Sequence, residues 1–308
     1  MSKYAYLGPV GTFSEVALTQ ISKASDERIP FSNITSALNA VRNGEVIGAL
    51  VPIENSVEGF VARTLDELVE GDPLVIVAET TLPVRFALIA HPNASLNSIE
   101  TISTHPHAEA QCRTFIADKL PHADVIAASS TAAAVEAISK SQSQSIAAIG
   151  STEAAKKYNL SVLAEDIGDN KEAITRFVLV TKPGNISNST GHDRTSLAIF
   201  IGADHAGALL EILTEFAVRG VNLSFIQSRP TGKGLGSYHF LVDLEGHVSD
   251  SRVGEAMTGL KRICQDVQFL GSYERADKVK VDVTKSTSDK SFADSGDWLS
   301  KIRQGKAT

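Results

Sequence analysis

Thr175-Arg176 is the dipeptide of this chain best equipped for chemistry. It sits in NKEAITRFVLV (170–180), where a polar run meets an apolar strand pattern. A hydroxyl donor and a fixed positive charge then lie side by side at a strand mouth, and the planar arginine fork matches a carboxylate. Taken alone, the pair reads equally as a strand-edge threonine and a surface arginine. Glu54-Asn55-Ser56 follows the apolar run GALVPI (48–53), where Asn55 and Ser56 can cap a following helix or bind a ligand. Thr104 ends the run 101–104, and His105-Pro106 opens a helix that carries Gln111 a turn or two in. His105 and His107 resemble a metal pair only superficially. Residues two apart on a helix diverge and no partner set accompanies them, so no metal is expected.

These residues need elements to hold them, and the hydrophobic pattern supplies an alternation of strands and helices over 1–180. Strands are expected at 4–7, 48–53, 74–80, 85–90, 101–104, 125–128 and 146–149, with helices after several of them. Thr12 or Ser14, Ser129 to Thr131, and Ser151-Thr152 stand where helix N-caps belong. A single helix is expected from Pro106 through Ala110 to Phe115 and Ile116. Helix N-termini converging on one crevice would favour anions, and such crevices lie beyond the carboxyl ends of strands. The Gly8–Gly11 turn lacks a nucleotide fingerprint, so no cofactor is called for.

Residues 183–194 read as a linker rich in Gly, Ser, Asn and Pro. Beyond them the pattern is β-α-β-β-α-β over 195–275, a ferredoxin-like order. Helices are expected at 206–219 and through Val253, Met257, Leu260 and Cys264, and a glycine-rich turn at 231–236. Residues 276–308 read as a polar tail in which Trp298, Leu299 and Ile302 form a docking helical turn.

The composition fits a globular α/β protein of about two domains. The chain has 308 residues, 43% hydrophobic and 21% charged, with a net charge of −7 and no basic block. No nucleic-acid surface is expected. No segment has the length of a membrane span and no signal-peptide core opens the chain, so the expected location is cytoplasmic. Cys112 and Cys264 read as reduced thiols.

Five segments in order carry a resemblance. YLGPVGTFSE (6–15), VPIENSVEG (51–59), STHPHAEAQC (103–112), the TRF run, and a C-terminal stretch with HAGALLEIL (205–213) and QSRP (227–230) resemble prephenate dehydratase. The resemblance extends over residues 3–273. It implies a two-lobed, periplasmic-binding-protein-like catalytic domain (1–182) followed by an ACT regulatory domain (195–275). The lobes are expected at 1–77 plus 164–182 and at 78–163. It implies conversion of prephenate to phenylpyruvate, water and carbon dioxide, with Thr175, Arg176, Asn55, Thr104 and Gln111 in the active site. Thr175 is read as a hydrogen-bond donor to the leaving hydroxyl, because a threonine is too weak an acid for full proton transfer unaided. Arg176 is read as a bidentate carboxylate clamp. Ser56, Glu54 and Phe177 are secondary candidates. A like charge beside a dianionic substrate favours a structural Glu54, and Phe177 is expected to pack the core rather than touch the ring.

In the C-terminal unit the resemblance implies a phenylalanine site made by Gly207, Ala208 and Leu209 with Gln227, Ser228, Arg229 and Pro230. Gln227 stands where the family carries glutamate. It further implies a homodimer or homotetramer, with phenylalanine favouring one quaternary state. Two alternatives use the same residues. Arogenate dehydratase shares the scaffold, and competing the two substrates over one preparation separates them. A non-catalytic prephenate or amino-acid sensor would bind without turnover.

Overall fold

The computed structural model describes residues 1–141, 143–202, 205–231 and 238–306. By packing, the chain falls into two compact units: Met1–Thr64 with Thr80–Val180, and Leu65–Glu79 with Thr181–Thr308.

The first part of the chain runs β1 (Lys3–Leu7), α1 (Phe13–Ile21), β2 (Glu27–Phe31), α2 (Ile34–Asn43), β3 (Gly48–Asn55), β4 (Gly59–Phe60), α3 (Ala62–Val69) and β5 (Val75–Pro83). Thr12 caps α1, its hydroxyl accepting from Glu15 N, and Asn33 caps α2 through Ser36 N at 2.8 Å. The sequence pattern assigns no element to 24–47. There β2 is short, and α2 buries Ile34, Ala37, Leu38, Ala40 and Val41.

The chain then continues β6 (Ala87–Ala90), β7 (Thr101–Thr104), α4 (Pro106–Ala110), α5 (Arg113–Lys119), β8 (Asp124–Ala127), α6 (Thr131–Lys140), β9 (Ile146–Gly150), α7 (Thr152–Lys157), β10 (Ser161–Ala164) and β11 (Ile174–Thr181). Two sheets result. One has the order β2-β1-β3-β11-β5 with β4 beside β3; the other has the order β10-β6-β9-β7-β8. The chain therefore crosses between sheets after β5 and again before β11, which is the two-lobed architecture expected. Within the first sheet β1 is parallel to β2 and β3, while β11 returns antiparallel to β3. The central strands of the second sheet are buried on both faces, while its edge strand β8 is exposed. Phe86, Leu88, Ile102, Cys112 and Ile149 pack on one side, and Ile89, Val135, Ile138 and Ala148 on the other.

The single helix expected from 106 to 116 is two. Helix α4 stops at Gln111, and Cys112, with φ −125° and ψ 17°, breaks the path before α5. The break frees the Gln111 carbonyl to accept from Asp169 N at 2.6 Å and sends the Cys112 side chain into the core.

The second unit contains β12 (Asp193–Phe200), α8 (Ala208–Ala217), β13 (Leu223–Pro230), β14 (Tyr238–Glu245), α9 (Ser251–Ile263), β15 (Asp266–Glu274) and α10 (Asp289–Arg303). Its antiparallel sheet has the order β13-β14-β12-β15, the ferredoxin-like arrangement expected. Helices α8 and α9 cover one face through Ile212, Phe216, Val253, Ala256 and Leu260. The expected glycine-rich turn falls at 232–237, outside the described residues.

Residues 65–79 pack with this unit. Arg229 holds Asp66 through Nε and Nη2 at 2.9 and 2.6 Å, Arg194 holds Glu79 at 2.6 Å, and Gly271 (φ +140°) lies against the Ile76 main chain where any side chain would clash. The tail departs from expectation. It forms a helix of 15 residues, with Ser288 as N-cap, Asp289 in the first turn and Lys301 and Arg303 in the last. Trp298, Leu299 and Ile302 are exposed on it instead of docking.

Candidate active site

Thr175 and Asn55 face each other across the β3–β11 ladder, and Arg176 faces Glu54. A bulge follows, since Phe177 pairs with Pro52 and Ile53 is the extra residue. Bulges re-aim side chains, and here the rim of the ladder carries the polar residues while Phe177 enters the core.

The orientation of the Asn55 amide follows from its partners. Oδ1 accepts from Val57 N (2.8 Å) and Glu58 N (3.0 Å), which leaves Nδ2 as the donor to Thr175 Oγ1 at 2.8 Å. Thr175 thus accepts from asparagine and keeps its own O–H to give. Thr175 is 8% exposed and Arg176 7%. Ser56 caps no helix, because α3 begins only at Ala62; it extends the ladder, accepting from Ile174 N at 3.0 Å while its own N–H donates to Ile174 O.

Arg176 differs from the expected open clamp. Its Nε donates to Glu54 Oε2 at 3.0 Å, so the carboxylate it grips is the protein's own. Glu54, the formal candidate acid, is thereby paired with the neighbouring cation. Thr104 also differs: it is 1% exposed and its hydroxyl donates to Ile149 O at 2.9 Å, tying β7 to β9.

Gln111 and Asn55 come from different lobes, and the turn after Asn55 joins them. Gln111 Nε2 donates to Glu58 Oε1 at 3.0 Å, and His107 Nδ1 lies 3.7 Å from Glu58 Oε2. Glu58 is the residue that the motif reading passed over; its signal was a second carboxylate three positions from Asn55, on a turn ended by Gly59. His105 caps α4 and meets His107 edge to face at 4.9 Å. Burial, and then the His107 charge, hold its imidazole below the usual histidine range. Among the described residues no group of three or more His, Cys, Asp or Glu stands where it could hold a metal ion.

The motif at 6–15 closes another side of the lobes. Ser151 Oγ donates to Gly11 O at 3.3 Å, and Tyr158 donates to Val10 O. Gly11 has φ +89°, a conformation that favours glycine, and packs tightly against Ala154.

In the C-terminal unit, Gly207 (φ +98°) is the N-cap of α8, which starts the helix two residues later than expected. A cavity of about 350 Å³ lies there, lined by Gly207, Ala208, Leu209 and Ser228 together with Tyr238 and Phe240. Strand alternation sends Arg229 the other way, to Asp66, where it and Pro230 line a separate cleft. The Gln227 amide donates to Ser228 O at 3.0 Å. Four of the seven expected effector residues therefore share one cavity.

Fold and sequence pattern together define a two-lobed α/β protein with a ferredoxin-like C-terminal unit, the former holding Asn55 and Thr175 at the rim of a strand ladder and the latter a cavity at the start of α8. The profile of the prephenate dehydratase family matches residues 4–185 and that of the ACT domain residues 196–261. The chain belongs to the prephenate dehydratase family. A relative from Amycolatopsis methanolica, prephenate dehydratase, is 43% identical over 99% of both chains. The crystal structure of prephenate dehydratase from Arthrobacter aurescens in complex with L-Phe is 48% identical, covering 98% of this chain and 99% of that one, with a TM-score of 0.94. A solved structure of a novel type of quorum-quenching acylase is 26% identical, covering 88% of this chain and 97% of that one, with a TM-score of 0.79.

Proposed function

We infer that this chain converts prephenate to phenylpyruvate with loss of water and carbon dioxide, and that L-phenylalanine regulates it through the C-terminal unit. One observation carries the catalytic reading: an asparagine whose amide is fixed by two main-chain N–H groups donates to Thr175 and leaves the threonine O–H as a donor at the cleft.

Prephenate carries two carboxylates, a ketone and a ring hydroxyl. One carboxylate leaves as carbon dioxide, its bonding pair enters the ring, and the hydroxyl departs as water after gaining one proton. Aromatisation drives the reaction, so the protein needs to orient the substrate and stabilise charge on the departing oxygen. Thr175 O–H donates to that oxygen, Asn55 orients Thr175, and Gln111 offers its amide from the opposite lobe. Arg176, oriented by Glu54, adds fixed positive charge near a dianionic substrate.

For the regulatory half, the glycine N-cap of α8 and the cavity beside it support recognition of an amino-acid carboxylate by main-chain N–H groups. A second copy of the chain completes the functional unit. β13 is an edge strand of eight residues with Ile226 41% exposed, and Leu210 on α8 is 68% exposed.

Phenylpyruvate formation from prephenate by purified protein tests the reading, with arogenate offered in competition. Binding of prephenate without turnover would replace the enzyme with a sensor. The 26% identity to an acylase structure is answered by the same preparation, in which amide hydrolysis is not expected.

A further inference from the structure

Glu58 has been given no role in the chemistry, yet it joins the two walls of the cleft. Its N–H donates to Asn55 Oδ1, so the amide that orients Thr175 also fixes where the Glu58 side chain starts. From that origin the carboxylate reaches the second lobe and accepts from Gln111 Nε2 at 3.0 Å. Gln111 is held from behind as well, its carbonyl accepting from Asp169 N at 2.6 Å and its N–H donating to His107 O at 3.2 Å. One hydrogen-bonded line thus runs from the Thr175 hydroxyl through Asn55 and Glu58 to the amide on the facing wall. Each side-chain link in it is 3.0 Å or shorter.

We propose that Glu58 is a positioning residue: it latches the lobes by holding Gln111 across the cleft, and so sets the distance between the Thr175 wall and the Gln111 wall. This role rests on the reaction proposed above. A partly exposed polar contact contributes little to global stability, so a merely structural Glu58 predicts almost no effect on rate. A latch predicts a large one, because displacement of about 1 Å at a reacting centre can cost about a hundredfold in rate.

The requirement is for length and an acceptor oxygen, not for charge. Glu58→Asp keeps the charge but shortens the side chain by one C–C bond, about 1.5 Å. Glu58→Gln keeps the length and an oxygen that can accept from Gln111. The test measures prephenate turnover by wild type, these two variants, Glu58→Ala, Gln111→Ala and the Ala/Ala double variant, with a thermal melt of each. Glu58→Ala and Glu58→Asp should lose about 10–100-fold, mainly in kcat, with unchanged melting temperatures. Glu58→Gln should recover most of the activity, and the double variant should be no worse than the poorer single. Losses that multiply in the double variant overturn the proposal, as does a Glu58→Gln enzyme as poor as Glu58→Ala. If Glu58→Ala fails to fold, the Asp and Gln pair still decides, since one varies reach and the other charge. Absence of phenylpyruvate with wild type would overturn the underlying reaction instead, and is seen before any variant is made.

Discussion

At the scale of single residues, the chemistry rests on which atom donates. Asn55 can point only one way, and that choice turns Thr175 into a donor. Asn55→Ala should therefore lower kcat by about 10–100-fold while the fold persists, as measured by phenylpyruvate formation and circular dichroism. An activity equal to wild type would remove the orienting role. The thiols give a second check. Burial pushes the Cys112 thiol up to about 12, helped by Asp169. At pH 8 it is protonated and shielded, so iodoacetamide should leave Cys112 unlabelled in native protein and label it after denaturation, as read by peptide mass spectrometry. Thr175, Asn55 and Gln111 were legible as types at strand ends and in a helix start. The fate of Arg176 and Thr104 was not. Sequence records a cation and a hydroxyl, but their partners, Glu54 and the Ile149 carbonyl, are fixed by ladder register and by a neighbouring strand.

At the scale of elements, helix caps carry much of the positioning. Ser151 Oγ accepts from Ala154 N at the start of α7 and donates to Gly11 O. Ser151→Ala should cost about 1–2 kcal/mol from the lost cap and the unpaired carbonyl, seen as a lower urea midpoint. The half-buried neighbour Thr152, which caps nothing, should stay within about 0.5 kcal/mol on Thr152→Ala. Before β12, Asp193 organises the loop 189–191 by accepting from Ser189 Oγ, Thr190 N, Thr190 Oγ1 and Gly191 N. Burial alone would raise its pKa, and the hydrogen bonds outweigh burial and hold it below the usual carboxylate range. A depressed native pKa stabilises the fold above the unfolded value of about 3.9 and loses that contribution as pH falls through the native value. The stability difference between wild type and Asp193→Asn, by thermal melts at several pH values, should thus be full at neutral pH and shrink below about pH 4. Strands with β-branched runs and helices with serine caps were legible in the sequence. The elements β2 and α2 were passed over: β2 is a five-residue strand containing Pro30, while α2 carried a legible apolar face at Ile34, Ala37, Leu38 and Val41. The break at Gln111 was hidden too, because the partner that takes up its freed carbonyl, Asp169, is distant in sequence.

At the scale of the whole molecule, two kinds of unit share one chain. The two-lobed catalytic unit and the β-α-β-β-α-β unit were both visible in the alternation of patterns, and the family motifs in order named them. The pairing of Asp66 with Arg229 and of Glu79 with Arg194 was not visible, since the arginines select their carboxylates only after folding. L-phenylalanine should bind saturably in calorimetry, and Leu209→Glu in the α8 cavity should abolish binding while leaving prephenate turnover in place. No saturable heat at millimolar ligand would remove the regulatory claim. Light scattering should give a dimer or tetramer for wild type, and Ile226→Lys on the exposed β13 edge should shift it toward monomer. The central claim concerns Thr175, and prephenate turnover by wild type beside Thr175→Ala tests it most directly. Wild type should release phenylpyruvate without added metal, and the variant, folded by circular dichroism, should lose about 10²–10³ in kcat. A folded Thr175→Ala enzyme as fast as wild type would contradict the role of that hydroxyl at the leaving oxygen.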